Sequence, residues 1–257
     1  MIAGLQQRED GSGLPPALGA IAAAARVLRE RLEVRNAGLV RRLTARIASG
    51  CYTRAGLLQA FARCADARPD LPGYDALDEL FAELFDAGEL PELHAQLGPE
   101  MVAYQPTPGR VILSLIQRAA LSCDDVVCDL GSGLGHVLLA CALLSGARGV
   151  GVELEPAYCA YAASCARKLR LPQVTFIAAD ARQAPLDEAN VFYLYTPFRG
   201  QLLEQMLERL RQEALARPIV VCSYGPCTAQ VGRAAWLAPR DPGELGPNEP
   251  QIFDSTL

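Results

Sequence analysis

A glycine loop between an apolar run and a helical pattern constrains the fold of this 257-residue chain more than any other feature. The stretch "VVCDLGSGLGHVLLACALL", residues 126–144, runs through an acid into three glycines at alternate positions and then into helical spacing. Glycine lets a second molecule approach the backbone without meeting a Cβ. In an open parallel sheet, the loop after the first strand lies at the edge where ligands bind. The stretch therefore predicts a ligand site between a strand and a helix.

Short apolar runs alternate with helical patterns after residue 100. This alternation predicts right-handed crossovers and a parallel sheet covered on both faces. Two apolar runs in residues 234–255 predict a closing antiparallel hairpin at the sheet edge. We therefore expect an α/β, doubly wound, mostly parallel seven-stranded sheet. The predicted strands are 126–130, 149–154, 174–178, 191–195 and 219–223, and the predicted helices between them are 136–144, 156–169 and 200–215.

The first hundred residues have helical periodicity only. One helix is predicted after Pro15 and Pro16, a second from Asn36 to Gly50, and a third after a cap at Thr53. The pattern predicts an all-helical N-terminal extension over residues 1–100 and a second domain over residues 101–257. A fourth helix, in 74–88, carries an apolar stripe of Tyr74, Leu77, Phe81, Leu84 and Phe85.

Composition excludes several classes of protein. Hydrophobic residues make up 51% of the chain, which favours a large core. No apolar run approaches the roughly 20 residues that span a bilayer, and the N-terminus lacks a signal-peptide pattern, so we expect a soluble cytoplasmic protein. Nine cysteines without a Cys-x-x-Cys pair, together with two histidines, argue against a metal site and favour buried thiols.

Charge is distributed unevenly along the chain. Residues 15–68 hold ten arginines and three acids, a net charge of +7, whereas the whole chain carries −5. Lys168 is the single lysine, so arginine is the default cation of this chain and a charge run alone is weak evidence for phosphate binding. The charge pattern therefore favours a solvated helix face and argues against nucleic acid as a partner.

Acids follow the first three predicted strands. Asp129 can fix the glycine loop or face a cationic ligand. Glu153 comes 22 residues after Gly131, where a carboxylate can accept both hydroxyls of a ribose. Asp180 can accept from the exocyclic amine of adenine while the backbone beside Ala181 meets a ring nitrogen. The alternate glycine spacing departs from the G-x-G-x-x-G dinucleotide fingerprint.

The D-x-G-x-G-x-G loop, with Glu153 and Asp180 in this order, resembles the class I S-adenosylmethionine-dependent methyltransferases over about residues 100–257. The glycine loop is also similar to that of the non-SET histone lysine methyltransferases. The whole chain resembles a group of bacterial methyltransferases with helical N-terminal extensions. The resemblance implies S-adenosylmethionine as cofactor, with Glu153 at the ribose and Asp180 and Ala181 at the adenine. The residues that it implies for the methionine part are Gly131, Ser132, Gly133 and Gly135.

The resemblance also implies a methyl-acceptor wall after the fourth strand, formed by Tyr195, Thr196, Pro197 and Phe198. This segment resembles the N-P-P-Y or N-P-F loop of amine-directed members but has no Asn, and its hydroxyls come from Tyr195 and Thr196. Pro197 would fix the turn and Phe198 would supply an apolar face.

A rim over the cofactor is expected from Tyr104, Gln105 and Thr107. The alternative is that Thr107 caps a helix that has Pro108 at its first position. His136 is expected in the first turn of a helix, partly solvated, with a neutral imidazole able to face the substrate side of the loop.

Three functions stay open at this point. The first is an active methyltransferase whose acceptor is a protein or a small molecule, selected by the helical extension. The second is a cofactor-binding interaction module without catalysis. The third, a nucleotide-dependent oxidoreductase, is disfavoured by the glycine spacing. The extension either closes over its own active site or forms a homodimer, and the sequence does not separate these arrangements.

Overall fold

The computed structural model describes residues 16–65, 75–86, 88–92, 98–241 and 249–257. The chain divides into two compact units, Met1–Leu43 and Thr44–Leu257. Helix α1, Pro16–Ala48, is continuous, so the predicted helix start at Asn36 is wrong. The reason is that an exposed helix continues through Asn36 and Gly38 at a modest cost of about 1 kcal/mol or less for each residue, and no proline breaks the turn around them.

Two short helices follow. Helix α2, Arg54–Ala62, begins at Thr53, whose hydroxyl accepts a hydrogen bond from the N–H of Gly56 at 3.1 Å, which confirms the predicted cap. Helix α3, Ala76–Leu84, begins at Asp75 in a capping box with Asp78. The predicted stripe is buried at Leu77, Phe81, Leu84 and Phe85, and its first member, Tyr74, lies outside the described residues.

Seven strands form one sheet in the order β3-β2-β1-β4-β5-β7-β6, which confirms the doubly wound α/β prediction. The first five strands are parallel, and β7 pairs antiparallel with both β5 and β6, as the hairpin prediction requires. The strands are β1 Val126–Leu130, β2 Arg148–Glu153, β3 Val174–Ala178, β4 Val191–Tyr195, β5 Val220–Tyr224, β6 Leu237–Pro239 and β7 Gln251–Ser255.

Helices cover the sheet and bury its central strands. Strand β1 is buried along its whole length, as expected for a parallel strand with both faces covered. Helix α5 is buried at every position after its first residue. The helices of this region are α4 Gly109–Arg118, α5 His136–Leu144, α6 Pro156–Lys168, α7 Gly200–Ala216 and α8 Thr228–Val231.

Helices α2 and α3 belong to the same compact unit as the sheet. Helix α2 lies against α4 and α5, and α3 lies against α4. Asp78 Oδ1 accepts the N–H of Gly109 at 2.7 Å, so α3 satisfies a free donor at the start of α4. A Cβ on Gly109 would lie 2.8 Å from Leu77 Cγ. The compact unit that contains the sheet begins at Thr44. The boundary at residue 101 between a helical extension and a second domain stays a prediction.

Candidate active site

A cavity of about 260 Å³ lies at the carboxyl ends of the parallel strands. It is bounded by the ends of β1, β2, β3 and β4 and by the segment 101–107. Twelve of the fourteen residues predicted for the site line it: Tyr104, Thr107, Asp129, Gly131, Ser132, Glu153, Asp180, Ala181, Tyr195, Thr196, Pro197 and Phe198.

The glycine loop makes close backbone approaches that a side chain would block. Gly131 has φ 90°, and a Cβ there would lie 2.8 Å from Pro197 Cβ, so the loop after β1 contacts the loop after β4. Gly133 is covered by the ring of Tyr104. Gly135 has φ 79° and packs beneath Phe176, so its role is to seat the loop rather than to line the cavity.

The Ser132 side chain turns away from the cavity floor. A Cβ on Gly151 would lie 2.7 Å from the Ser132 hydroxyl, so this hydroxyl packs against β2. Its exposed fraction is 6%, and within the described part of the chain the hydroxyl has no hydrogen-bond partner. The backbone of Ser132 is already bonded, because its N–H donates to Val152 O at 3.1 Å and its carbonyl accepts the N–H of Gly135 at 2.8 Å.

Glu153 ends β2 and ties the glycine loop to it. Its Oε2 accepts the N–H of Gly133 at 2.8 Å, and its Oε1 accepts the N–H of Glu155 at 2.9 Å. Glu155 in turn caps α6 by accepting the N–H of Ala157 at 3.1 Å. Each oxygen of Glu153 keeps a further lone pair, so the fixed carboxylate can still accept hydroxyl donors from the cavity.

Asp180 follows β3 and pairs with Arg182. The Arg182 guanidinium donates to both oxygens of Asp180, with Nη2 at 2.6 Å from Oδ2, and this hydrogen bond holds the pKa of the carboxyl below its usual value. Arg182 N–H also donates to Oδ1 at 2.9 Å. The adjacent Ala181 N–H makes no hydrogen bond among the described residues, which leaves one backbone donor beside the cavity.

The cavity floor carries buried polar groups from neighbouring strands. Asp129 and Tyr193 are register partners on β1 and β4, and both line the cavity. Burial, and secondarily Glu153, raises the pKa of Asp129 to about 8. The Tyr193 hydroxyl lies 3.1 Å from that of Thr107. Thr107 therefore bonds to the sheet instead of capping a helix, and Pro108 is the N-cap residue of α4.

Residues 98–107, here called the strap, cross the cavity beside the loop after β4. The Tyr104 ring contacts the Tyr158 ring at 5.4 Å between centroids. Met101 forms an isolated antiparallel bridge with Phe198, and Val102 N–H donates to Pro197 O at 3.3 Å. The strap thus forms one wall of the cavity with the predicted acceptor loop.

The strap also fixes the start of α7. Glu100 accepts the N–H groups of Gln201 at 3.2 Å and Leu202 at 3.0 Å, on different carboxylate oxygens. Its backbone carbonyl accepts the N–H of Arg199 at 2.9 Å. A carboxylate at this position satisfies free donors of the helix and complements its dipole.

Thr196 holds the turn after β4 in an unusual backbone conformation. Its φ is 42°, which is rare for a β-branched residue and concentrates at functional sites. Its hydroxyl donates to Tyr224 O and accepts the N–H of Cys227, both at 3.1 Å. These bonds tie the end of β4 to the loop after β5, so the hydroxyl serves the turn. The Tyr195 ring stands 4.8 Å from the Tyr224 ring.

A row of rings reaches the cavity from the N-terminal helices. Centroid distances are 5.7 Å for Phe61 and Phe81, 5.1 Å for Phe81 and Phe85, and 5.6 Å for Phe85 and His136. Burial lowers the pKa of His136 to about 4, so this cavity residue is a neutral imidazole. Sequence reasoning missed the row, although the predicted stripe marked two of its members, Phe81 and Phe85, as core residues.

Comparison with known proteins identifies the class. Residues 127–217 match a methyltransferase domain family. The sheet order, the acid-bounded glycine loop and this match together define an S-adenosylmethionine-dependent methyltransferase. The match and the sheet order support a class I methyltransferase domain in this chain. A search of curated proteins found no match.

Several solved methyltransferase structures are similar to this chain. An RNA methyltransferase from Salinibacter ruber in complex with S-adenosyl-L-homocysteine is 27% identical, covers 59% of this chain and 92% of its own, and has a TM-score of 0.45. Magnesium protoporphyrin IX methyltransferase from Synechocystis is 16% identical, with 57% and 76% covered and a TM-score of 0.44. Precorrin-6y C5,15-methyltransferase from Geobacter metallireducens is 17% identical, with 61% and 93% covered and a TM-score of 0.42. The names of these three proteins differ in the methylated molecule.

Three expectations about partners meet different outcomes. The described residues contain no cluster of metal-ligating side chains. None of the described helices combines the length and apolar character needed to cross a membrane. The argument against nucleic acid as a partner stays a prediction.

The residues at the cavity fit S-adenosylmethionine. A glycine loop leaves space where a Cβ would stand, Glu153 presents a carboxylate at the second strand end, and the Ala181 N–H is an unused donor at the third. Asp129 adds a carboxyl that a cationic ligand would favour in its ionised form, and the start of α5, which has no side-chain cap, adds backbone donors for the charged methionine part.

Proposed function

We propose that this enzyme transfers the methyl group of S-adenosylmethionine to a protein or small-molecule acceptor that enters beside Tyr195, Pro197 and Phe198. The observation that carries the proposal is the hydrogen bond between Gly133 N–H and the Glu153 carboxylate. This bond holds the two elements that the cofactor needs, a glycine loop and a strand-end acid, in one arrangement at the cavity.

The proposed cofactor residues divide by the part of the cofactor that they serve. The backbone of Gly131, Ser132 and Gly133 would face the methionine part, with Asp129 beneath it. Glu153 would accept the ribose hydroxyls through its remaining lone pairs. Asp180 and the free N–H of Ala181 would serve the adenine, with the Asp180 carboxylate kept ionised by Arg182.

Tyr104 and Thr107 have separate proposed roles. Tyr104 would cover the glycine loop, because its ring already packs on Gly133. Thr107 would act indirectly, since its hydroxyl is bonded to Tyr193 in the floor. Gly135 supports the loop from below, through its contact with Phe176.

Acceptor positioning is the proposed contribution of the loop after β4. When bound, the cofactor supplies a methyl group on a sulfonium, and transfer to an aligned lone pair requires chiefly orientation and exclusion of water. The hydroxyl of Tyr195 is a poor base at neutral pH. Tyr195 and Phe198 would therefore align the acceptor, while the Thr196 hydroxyl maintains the turn through Tyr224 and Cys227.

The other two functions are not favoured. The matched family is a methyltransferase domain, and the glycine loop departs from the dinucleotide fingerprint, which together disfavour an oxidoreductase. An inactive module would need a damaged site, whereas the described cavity keeps its glycine loop and strand-end acids.

Two measurements test the proposal. Calorimetry should give saturable binding of S-adenosylhomocysteine and S-adenosylmethionine by the wild-type chain and no binding of NAD. Incubation of the wild-type chain with fractionated cell extract and labelled cofactor should then label an acceptor. The Glu153→Ala variant is the negative control. Binding of NAD in place of the sulfur compounds would refute the assignment, and tight cofactor binding without a labelled product in any fraction would favour the inactive module.

A further inference from the structure

The connection between β3 and β4, residues 179–190, contains no helix. Several of its backbone carbonyls depend on hydrogen-bond donors from side chains outside the connection. Its internal backbone bonds are few: Gln183 N–H and Ala184 N–H donate to Asp180 O at 2.8 and 3.2 Å, and Ala189 N–H donates to Leu186 O at 3.1 Å. Four buried or nearly buried residues of the connection, Ala181, Ala184, Leu186 and Ala189, turn backbone carbonyls toward α7. Buried carbonyls without partners would be costly, so these donors matter.

Two arginines supply the donors in the same manner. Arg209, within α7, donates from Nη1 to Ala181 O at 2.7 Å and from Nη2 to Ala184 O at 2.8 Å. Arg217, the residue that follows α7, donates from Nη2 to Leu186 O and Ala189 O, both at 2.7 Å. A guanidinium presents several donors in a rigid fork, so one side chain can fix two carbonyls at once.

The two arginines differ in what they hold. Arg209 holds the part of the connection that lines the cavity, because Asp180 and Ala181 are cavity residues. Arg217 holds the distal part, whose anchored residues are not among those that line the cavity. We therefore propose that Arg209 is a positioning residue for the adenine end of the cofactor. It fixes the peptide after Ala181 and so aims the Ala181 N–H and the Asp180 carboxylate.

This inference rests on the proposed function, and Arg217 provides a matched control within the same structure. Arg209→Ala should weaken S-adenosylhomocysteine binding by about tenfold, the factor expected when one hydrogen bond at a site is lost. Arg209→Lys keeps the charge but lacks the fork, so it should give an intermediate loss. Arg217→Ala should lower thermal stability as Arg209→Ala does, yet change the dissociation constant by less than about twofold.

A second readout separates positioning from general loosening. The wild-type chain should bind S-adenosylhomocysteine better than S-inosylhomocysteine, whose base carries a carbonyl oxygen where adenine has an amine. In Arg209→Ala and Arg209→Lys this preference should shrink, because Asp180 and Ala181 are no longer held. In Arg217→Ala the preference should persist.

The outcomes distinguish the two levels of inference. Absence of S-adenosylhomocysteine binding by the wild-type chain would refute the proposed function. Wild-type binding with an unchanged dissociation constant and unchanged base preference in both Arg209 variants would refute the positioning role alone. Equal losses in Arg209→Ala and Arg217→Ala, measured well below both melting temperatures, would also overturn it. If Arg209→Ala does not fold, Arg209→Lys carries the test.

Discussion

The carboxylate of Glu153 accepts the backbone N–H of Gly133 at 2.8 Å, and this contact joins the end of β2 to the glycine loop. The same carboxylate accepts the N–H of Glu155 on its other oxygen at 2.9 Å. Both oxygens are therefore oriented by the backbone. Under the proposed function, the ribose meets an acceptor whose position is already set.

Glu153→Gln should weaken S-adenosylhomocysteine binding more than its small change in shape suggests. An amide has only one acceptor oxygen, so its NH2 group would face either the Gly133 or the Glu155 N–H. We expect a loss of about 1.5 to 3 kcal/mol in binding free energy, the range for hydrogen bonds to charged groups. Calorimetry measures the loss, and Glu188→Gln, an exposed change in the β3–β4 connection, is the control. Unchanged affinity in Glu153→Gln would move the ribose elsewhere.

Cofactor binding should release a proton from Asp129. Because burial raises the pKa of this carboxyl to about 8, it is mostly protonated at neutral pH, whereas a cationic ligand favours the carboxylate. Affinity for S-adenosylmethionine should therefore weaken as pH falls below about 8, by at most about tenfold per pH unit for one proton. Calorimetry in buffers of different ionisation enthalpy counts the protons. Asp129→Asn should abolish the release, and equal release in both proteins would exclude Asp129 as its source.

Gly133→Ala should disturb the site through two separate effects. Alanine at φ 51° costs about 1 to 2 kcal/mol, and its Cβ would also collide with the Tyr104 ring. Gly50→Ala isolates the first effect, because Gly50 has φ 72° and nothing within 4 Å of an added Cβ. Urea unfolding should show the larger loss for Gly133→Ala. Adding Tyr104→Ala should recover part of the excess, and no recovery would assign the whole cost to the backbone.

Thr196→Val should destabilise the fold rather than affect the cofactor. The change removes the hydroxyl that bonds Tyr224 O and Cys227 N–H in a buried turn, and unsatisfied buried groups cost about 1 to 3 kcal/mol. Thr196→Ser keeps the hydroxyl and serves as the control. Chemical unfolding should separate the two variants, while both bind S-adenosylhomocysteine nearly as the wild type does. A weaker cofactor complex in Thr196→Val alone would put this turn in the cofactor site.

His136 should make the fold sensitive to mild acid. Burial lowers its pKa to about 4, whereas the unfolded chain takes up the proton near pH 6.5. The free energy of unfolding should therefore decrease as pH falls from 6.5 towards 4, because protonation favours the unfolded chain. His136→Phe keeps a ring beside Phe85 but cannot be protonated. Thermal unfolding at about pH 7.5 and about pH 5 should show a smaller drop for the variant. An identical drop in both proteins would assign the acid sensitivity to other groups.

Sequence patterns predicted the features that depend on neighbouring residues. The five parallel strands, the closing hairpin and the Thr53 cap follow from local apolar runs, turn residues and capping chemistry. The cavity residues Asp129, Glu153 and Asp180 could be found because the ends of parallel strands meet at one edge.

Features that depend on distant pairs could not be found in this way. The Thr107 hydroxyl bonds Tyr193, 86 residues later in the chain, and only the sheet register brings the two together. The hydroxyl of Thr196 suggested an acceptor contact, yet its partners lie in the loop after β5. The role of Arg209 could not be predicted either, because nothing in the sequence around a helical arginine indicates which backbone carbonyls it will bond.

Two helix starts in the enzyme are completed by acids from earlier in the chain: α4 by Asp78 and α7 by Glu100. Both acids lie outside residues 127–217, the stretch that matches the methyltransferase domain. A minimal fragment cut to that stretch would keep the glycine loop and α7, but it would lose Glu100 and, together with Asp78, the whole of α4. Grafting the N-terminal segment of another methyltransferase onto this sheet would therefore succeed only if Asp78 travelled with Gly109 and Glu100 with the start of α7, as inseparable pairs.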